Sequence, residues 1–192
     1  MDAVLPAFVD RLLDQGRDPG EIPEIPVADA TGWLTPLAAR LLSLMEHGMP
    51  CAPSRAFLAH GFAYLPLPAH DGRGLYLRLA HGSVMTAWPI ASTSVVLTLM
   101  GTLDLEMYQK PEDVQACNPQ YVRSFGPEQV FAAHAGTLCG VKSSPSGAQV
   151  LAVRQYEAGP AGPLSLSEHA DVAQRALRTL ERVLDAGTGA AL

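Results

Sequence analysis

Six histidines carry the side chain best suited to metal ligation or proton transfer near neutral pH: His47, His60, His70, His81, His134 and His169. No two are spaced H-x-H or H-x-x-x-H, the spacings that place two imidazoles on one face of a strand or a helix. A metal site would have to be assembled from single ligands on separate segments, and His60, His81 and His134 form the candidate set if their strands are neighbours. The plainer reading puts each histidine in a turn or at a strand end. Asp104 and Glu106 alternate on one strand face and have the chemistry of an acid–base pair, but they share that parity with Thr102 and Tyr108, which describes a solvated face. Cys139 follows His134 with Gly136 between them. On a continuous strand the two would point to opposite faces, so a thiolate–imidazole pair needs Gly136 to break the parity.

The rest of the composition narrows the classes. The chain has 192 residues, a 48% hydrophobic share and only 17% charged residues, enough apolar matter to fill a sizeable core in one domain. Net charge is −6 and lysine occurs only as Lys110 and Lys142. That balance argues against nucleic acid and against an anionic membrane surface as partners. Cys51, Cys117 and Cys139 are odd in number and widely separated, with no C-x-x-C, so they read as reduced thiols of a cytoplasmic protein. The N-terminus has Asp2 and no basic run before an apolar core, which is unlike a signal peptide. No apolar run approaches the roughly 20 residues of a membrane span.

The elements that would position these residues follow from periodicity. Residues 1–60 read as a helical and extended arm, 61–158 as a β core and 159–192 as a C-terminal helix, all one domain. Val4 to Gln15 has helical spacing in Leu5, Phe8, Val9, Leu12 and Leu13. Asp18 to Pro26 is an extended, proline-rich connector. Thr35-Pro36 reads as the start of a second helix, threonine capping and proline at the first turn, with Leu37, Leu41, Leu44 and Met45 as its apolar stripe. Met49 to Pro53 is a break. Strands are expected at Phe62–Leu67, Gly74–Ala80, Ser83–Trp88, Tyr121–Phe125, Val130–His134, Thr137–Lys142 and Ala148–Glu157, with Lys110 to Asn118 a polar loop. The stretch Val95 to Tyr108 alternates strictly and is interrupted at Gly101, where a bulge or tight turn would sit. Ser165 and Glu168 form a capping-box signature before a helix whose Ala173, Ala176, Leu177, Leu180, Val183 and Leu184 repeat at three and four.

Val96 to Leu105, a V-L-x-G-x-L-x-L setting around Gly101, together with Gly126-Pro127 and the segment to Val141, resembles the two sequence blocks of the cupin superfamily. The resemblance implies a mainly β fold with flanking helices: a cupin-like antiparallel β-barrel (a double-stranded β-helix) with two N-terminal helices and one C-terminal helix. Counting back from Gly101, the family's glutamate position falls on Ser94 and its histidine positions fall near Trp88 and Ile90. In the second block the histidine after the Gly-Pro turn falls on His134, which is then both the surviving family ligand and the candidate acid or base. With one ligand of four retained, the resemblance implies an interior that has lost the family's iron or manganese chemistry. In this register Ser94, Val96 and Thr98 point inward and Trp88 lines the mouth, giving Trp88, Ser94, Thr98 and His134 as the candidate ligand-binding set.

Three readings remain. The first is a cytoplasmic barrel that binds a small organic molecule without a metal cofactor. The second is a cupin-type dioxygenase or lyase whose iron, manganese, nickel or zinc is held by His60, His81 and His134 in displaced positions. The third is a non-enzymatic interaction protein that dimerises through its terminal helices. A homodimer is compatible with all three.

Overall fold

The computed structural model describes residues 27–47, 56–67, 74–82, 87–90, 94–133, 135–153 and 162–189. The expected helix at Val4–Gln15, the Asp18–Pro26 connector, the Met49–Pro53 break, Cys51, His70 and His134 lie outside these residues. So does the first part of the expected strand Ser83–Trp88, whose described remainder is a strand at Ala87–Pro89.

Two antiparallel sheets face each other, and helices cover the outer face of the larger one. In chain order the described elements are α1 (Val27–Glu46), β1 (Phe57–Ala59), β2 (Phe62–Leu67), β3 (Gly74–Ala80), β4 (Ala87–Pro89), β5 (Ser94–Met100), β6 (Leu103–Tyr108), α2 (Pro111–Gln115), β7 (Tyr121–Phe125), β8 (Val130–Ala133), β9 (Leu138–Ser143), β10 (Ala148–Val153), β11 (Gly162–Pro163) and α3 (Leu166–Gly189). The larger sheet has the order β11-β1-β2-β3-β10-β5-β8 and the smaller one β4-β9-β6-β7.

The pairing is nested. β3 pairs with β10, β4 with β9, β5 with β8, and β6 with β7, every pair antiparallel. This is one long antiparallel ribbon wound over itself, with successive rungs falling alternately in the two sheets. It is the strand order of a double-sheet jelly roll and the winding expected of a double-stranded β-helix. The described ladders form two separate sheets, not the single closed sheet of a barrel.

The two faces of the larger sheet explain its sequence. One face packs Leu65, Leu75, Leu77, Leu79, Val95, Leu97, Leu99 and Val150 against the helices, through Leu37, Ala38 and Leu41 of α1 and Val172, Ala176 and Leu180 of α3. The other face sets Phe62, Tyr64, Tyr76, Val96 and Leu151 against Leu103, Leu105, Phe125, Cys139 and Val141 of the smaller sheet. A sheet covered on both sides needs apolar residues at nearly every position, and β3 is buried along its whole length. The smaller sheet has one solvated face. Its alternation is therefore visible in β6, where Leu103 and Leu105 are buried while Asp104 and Glu106, on the other parity, are half-buried.

Gly101 is a corner between the sheets. β5 and β6 do not pair with each other; the chain passes from one sheet to the other at Gly101, whose φ is +75°. This changes what the shared parity of Leu97, Leu99, Leu103 and Leu105 means. The first two face the helices and the last two face the space between the sheets.

Helix α1 corrects the expected start at Thr35-Pro36. It begins at Val27 and carries Pro36 in its interior. Proline's fixed φ is helical, so the cost is the missing N–H and the crowding of the carbonyl four residues earlier. Burial of Leu34, Leu37, Ala38, Leu41 and Leu44 outweighs it. The expected polar loop at Lys110–Asn118 contains a short helix instead, α2, with Pro111 as its first residue. The Lys110 N–H donates to the Asp113 carboxylate at 3.1 Å. The capping box before α3 forms as expected: the Glu168 N–H donates to Ser165 Oγ at 3.3 Å and the Ser165 N–H to Glu168 Oε2 at 2.9 Å. The Ser165 hydroxyl also donates to Glu168 Oε2; this bond first, and the Ser165 N–H second, favour the ionised carboxylate, so the Glu168 pKa lies below its ordinary value.

Candidate functional site

The inner face of the larger sheet carries a polar row in an apolar setting. Arg78 on β3 is directly opposite Gln149 on β10, and Gln149 is directly opposite Thr98 on β5. All three are buried, Gln149 and Thr98 completely. Arg78 Nε donates to Gln149 Oε1 at 3.2 Å, and Gln149 Nε2 donates across the interior to Ser143 Oγ of the smaller sheet at 3.0 Å. Ser143 Oγ in turn donates to the Thr102 carbonyl at 3.3 Å. The guanidinium carbon of Arg78 lies 4.4 Å from the centroid of the Phe62 ring, a cation–π contact, and Tyr64 supplies a further side-chain hydrogen bond. Burial lowers the Arg78 pKa from its ordinary value, and the Tyr64 interactions oppose that shift.

Among the described residues, two atoms of this row have no hydrogen-bond partner: Arg78 Nη2 and Thr98 Oγ1. A buried polar atom left unsatisfied costs about 1–3 kcal/mol, more when it is charged. The bonded partners of Arg78 among the described residues are a neutral amide and a phenol.

The other candidates separate by position. Thr98 and Ser94 are buried on the inward parity of β5 together with Val96, as expected from the sequence. Ser94 stands opposite Ala133 and Val153, two residue rows along the strands from the Arg78 row. On β4, Trp88 is opposite Cys139 of β9, with Ile90 just beyond the strand. Cys139 faces inward, fully buried, and burial pushes its thiol up to about 11, so it is protonated at neutral pH.

His60 and His81 come together at the opposite end. His60 occupies the β1–β2 turn at φ +51°, and the His81 N–H, just after β3, donates to the Gly61 carbonyl at 2.8 Å. Partial burial, then the charge of Arg78, lowers the His60 pKa. Among the described residues no group of three His, Cys, Asp or Glu side chains is placed to hold a metal ion.

This same end is open. A cavity of about 630 Å³ is lined by Ala80, His81, Thr102, Asp104, Lys142 and Ser143, among others, and closed on one side by Arg175 of α3. Arg175 Nη2 is anchored on the Ala80 carbonyl at 2.7 Å. A smaller cavity of about 170 Å³ adjoins it, sharing Pro145 and Arg175 and adding Arg178, Thr179 and Arg182. No local pattern in the sequence points to this cleft. Its walls come from the β5–β6 corner, the β9–β10 turn and one helix, segments far apart in the chain.

At three of the four positions that match the family's ligands the residues do not fit iron or manganese, and the fourth, His134, lies outside the described residues. Trp88, Ile90 and Ser94 offer no imidazole or carboxylate.

No protein-family model and no curated protein matches the chain. Solved structures do. KdgF from Halomonas sp. is 12% identical with a TM-score of 0.41, covering 52% of this chain and 85% of that one. Streptomyces albus HEPD, solved with 2-hydroxyethylphosphonate and Fe(II) bound, is 10% identical with a TM-score of 0.41, covering 53% of this chain and 23% of that one. A Rhizobium leguminosarum protein of unknown function is 14% identical with a TM-score of 0.40, covering 71% and 99%. The nested pairing of β3 through β10 defines the class: a cupin-like fold of two facing antiparallel sheets with helices packed on one of them.

Proposed function

We propose that the chain is a cupin-like protein that binds a small polar organic molecule between its sheets and does so without the metal of the cupin resemblance. The observation that carries this reading is the buried row Arg78–Gln149–Thr98 with its unsatisfied Nη2 and Oγ1 atoms. A sandwich selected only for stability would fill these positions with apolar side chains, as it does two residues along at Leu151 and Val96. A guest with an acceptor for Arg78 and a hydroxyl partner for Thr98 would satisfy both atoms. The residues at Trp88, Ile90 and Ser94 support the metal-free half of the reading.

The test is a thermal-shift series with small carboxylic acids and their amides, run on the wild type and on Thr98→Val. The substitution conserves shape and removes the unsatisfied hydroxyl, so the free variant gains about 1 kcal/mol. At least one compound raises the Tm of the wild type, and its effect is reduced in the variant. A variant that is destabilised, or a panel to which wild type and variant respond identically, would sink the reading.

A further inference from the structure

We infer that the cleft between α3 and the β9–β10 turn is a second binding site, separate from the sheet interior, and that it takes a small phosphate-bearing molecule. The chain is acidic, with net charge −6 and 13 lysines and arginines in 192 residues. Four of those 13 line this one cleft: Lys142 and Arg175 in the larger cavity, Arg178 and Arg182 beside Arg175 in the smaller. His81 adds an imidazole. Asp104 is the one carboxylate among the described lining residues, and its Oδ1 already accepts a hydrogen bond from Ser124 Oγ at 2.6 Å.

The helix sets the arginines in place. Arg175, Arg178 and Arg182 are spaced by three and four, so they follow one face of α3. That face flanks the stripe of Val172, Ala176, Leu180 and Val183 which packs on the sheet. Arg175 is held by the Ala80 carbonyl, while Arg178 and Arg182 are exposed. Across the cleft the β9–β10 turn brings Ser143, Ser144, Pro145 and Ser146 up to the arginines.

The volume and the donors choose the ligand. About 630 Å³ lies within the range of small-molecule sites, and the adjoining 170 Å³ extends it along the arginines. Guanidinium groups pair in bidentate fashion with phosphate and carboxylate oxygens. A phosphate presents several oxygens and close to two charges on one centre, so it can accept from Arg175 and Lys142 together. A diphosphate would reach the second cavity and engage Arg178 and Arg182.

The probe is inorganic pyrophosphate, titrated by isothermal calorimetry into the full chain at low ionic strength. Saturable one-site binding is expected, weakening as sodium chloride is added. The double variant R178Q/R182Q should bind at least about tenfold more weakly while keeping the wild-type Tm and circular dichroism, because both side chains are exposed. Succinate, with two charges but no phosphate, should bind at least about tenfold more weakly than pyrophosphate. Thr98→Val should leave pyrophosphate binding unchanged, which separates this site from the interior one. No saturation, equal affinity in the double variant, or equal affinity for succinate would each overturn the inference.

Discussion

Arg78 and Gln149 are joined within the sheet interior by a 3.2 Å hydrogen bond from Nε to Oε1, with Gln149 the neutral acceptor for a buried cation. Gln149 also reaches Ser143 on the facing sheet, so it links the two layers as well as serving the arginine. Gln149→Leu should cost about 2–3 kcal/mol, since it strips a partner from a charge that already has one unsatisfied nitrogen. Arg78→Met should cost less, because it removes the charge along with its needs. The double variant should then be more stable than Gln149→Leu alone. Urea denaturation of the four species gives the coupling; simple additivity would show that the two side chains do not act as a unit.

The corner at Gly101 makes a sharper demand. Its φ of +75° disfavours any side chain, and a Cβ there would clash with Ser144 Oγ and stand 2.9 Å from the Gly147 Cα. Ser144 Oγ accepts the Thr102 N–H at 3.0 Å, so the hydroxyl cannot move aside without losing that bond. Gly101→Ala should destabilise by about 2–4 kcal/mol. Ser144→Ala should cost about 1 kcal/mol, the value of the hydrogen bond alone. The gap between the two midpoints in urea measures the backbone and steric part. A Gly101→Ala protein as stable as Ser144→Ala would mean the corner tolerates an ordinary residue.

These two positions show how much the sequence exposes. The strands Phe62–Leu67, Gly74–Ala80 and Tyr121–Phe125 are readable to the residue because turn formers bracket them. The inward parity of Thr98 comes from the cupin resemblance alone, because β5 is buried on both faces. Gly101 is visible as an interruption, but a hairpin and a corner between sheets leave the same local pattern, and only pairing with distant strands distinguishes them. Arg78 is hidden for a related reason. In a strand buried on both faces the alternation disappears, and an arginine amid Leu75, Leu77 and Leu79 reads as an outward-facing residue. Pro36 misled in the other direction, because its preference for a helix start is weaker than the burial of the residues around it. The arginines of α3 read as a solvated helix face, and the β9–β10 turn that makes them a cleft lies outside any local window.

His60 gives a pH dependence with a definite sign. Its pKa is lowered in the folded state, by burial first and by Arg78 second, relative to the ordinary 6.5. Below about 6.5 the unfolded chain therefore binds a proton that the folded chain resists, and stability falls as the pH drops until the folded-state pKa is passed. Above 6.5 both states are neutral and the contribution vanishes. His60→Asn keeps a residue suited to the left-handed φ of +51° and removes the titration. Between pH 7 and pH 5 the variant should lose less stability than the wild type in urea midpoints. Equal losses would mean that His60 titrates alike in both states.

Cys139 and Cys117 are free thiols in opposite settings, the first fully buried between the sheets and the second exposed at the end of α2. Thiolate is the reactive species, and burial holds Cys139 near a pKa of about 11, so both access and ionisation protect it. Iodoacetamide at pH 8 should modify Cys117 within minutes and leave Cys139 intact until the sandwich opens. In increasing urea, the labelling of the Cys139 peptide, followed by mass spectrometry, should rise with the global unfolding transition. Labelling at the Cys117 rate in native buffer would mean that the space around Cys139 opens to solvent without unfolding. In that case the guest of the interior would have its entrance at this end of the sheets, and Cys139→Ser should alter the thermal-shift response to it. Full protection would place the entrance elsewhere, and the Arg78 end, beside the cleft, would be the place to block next.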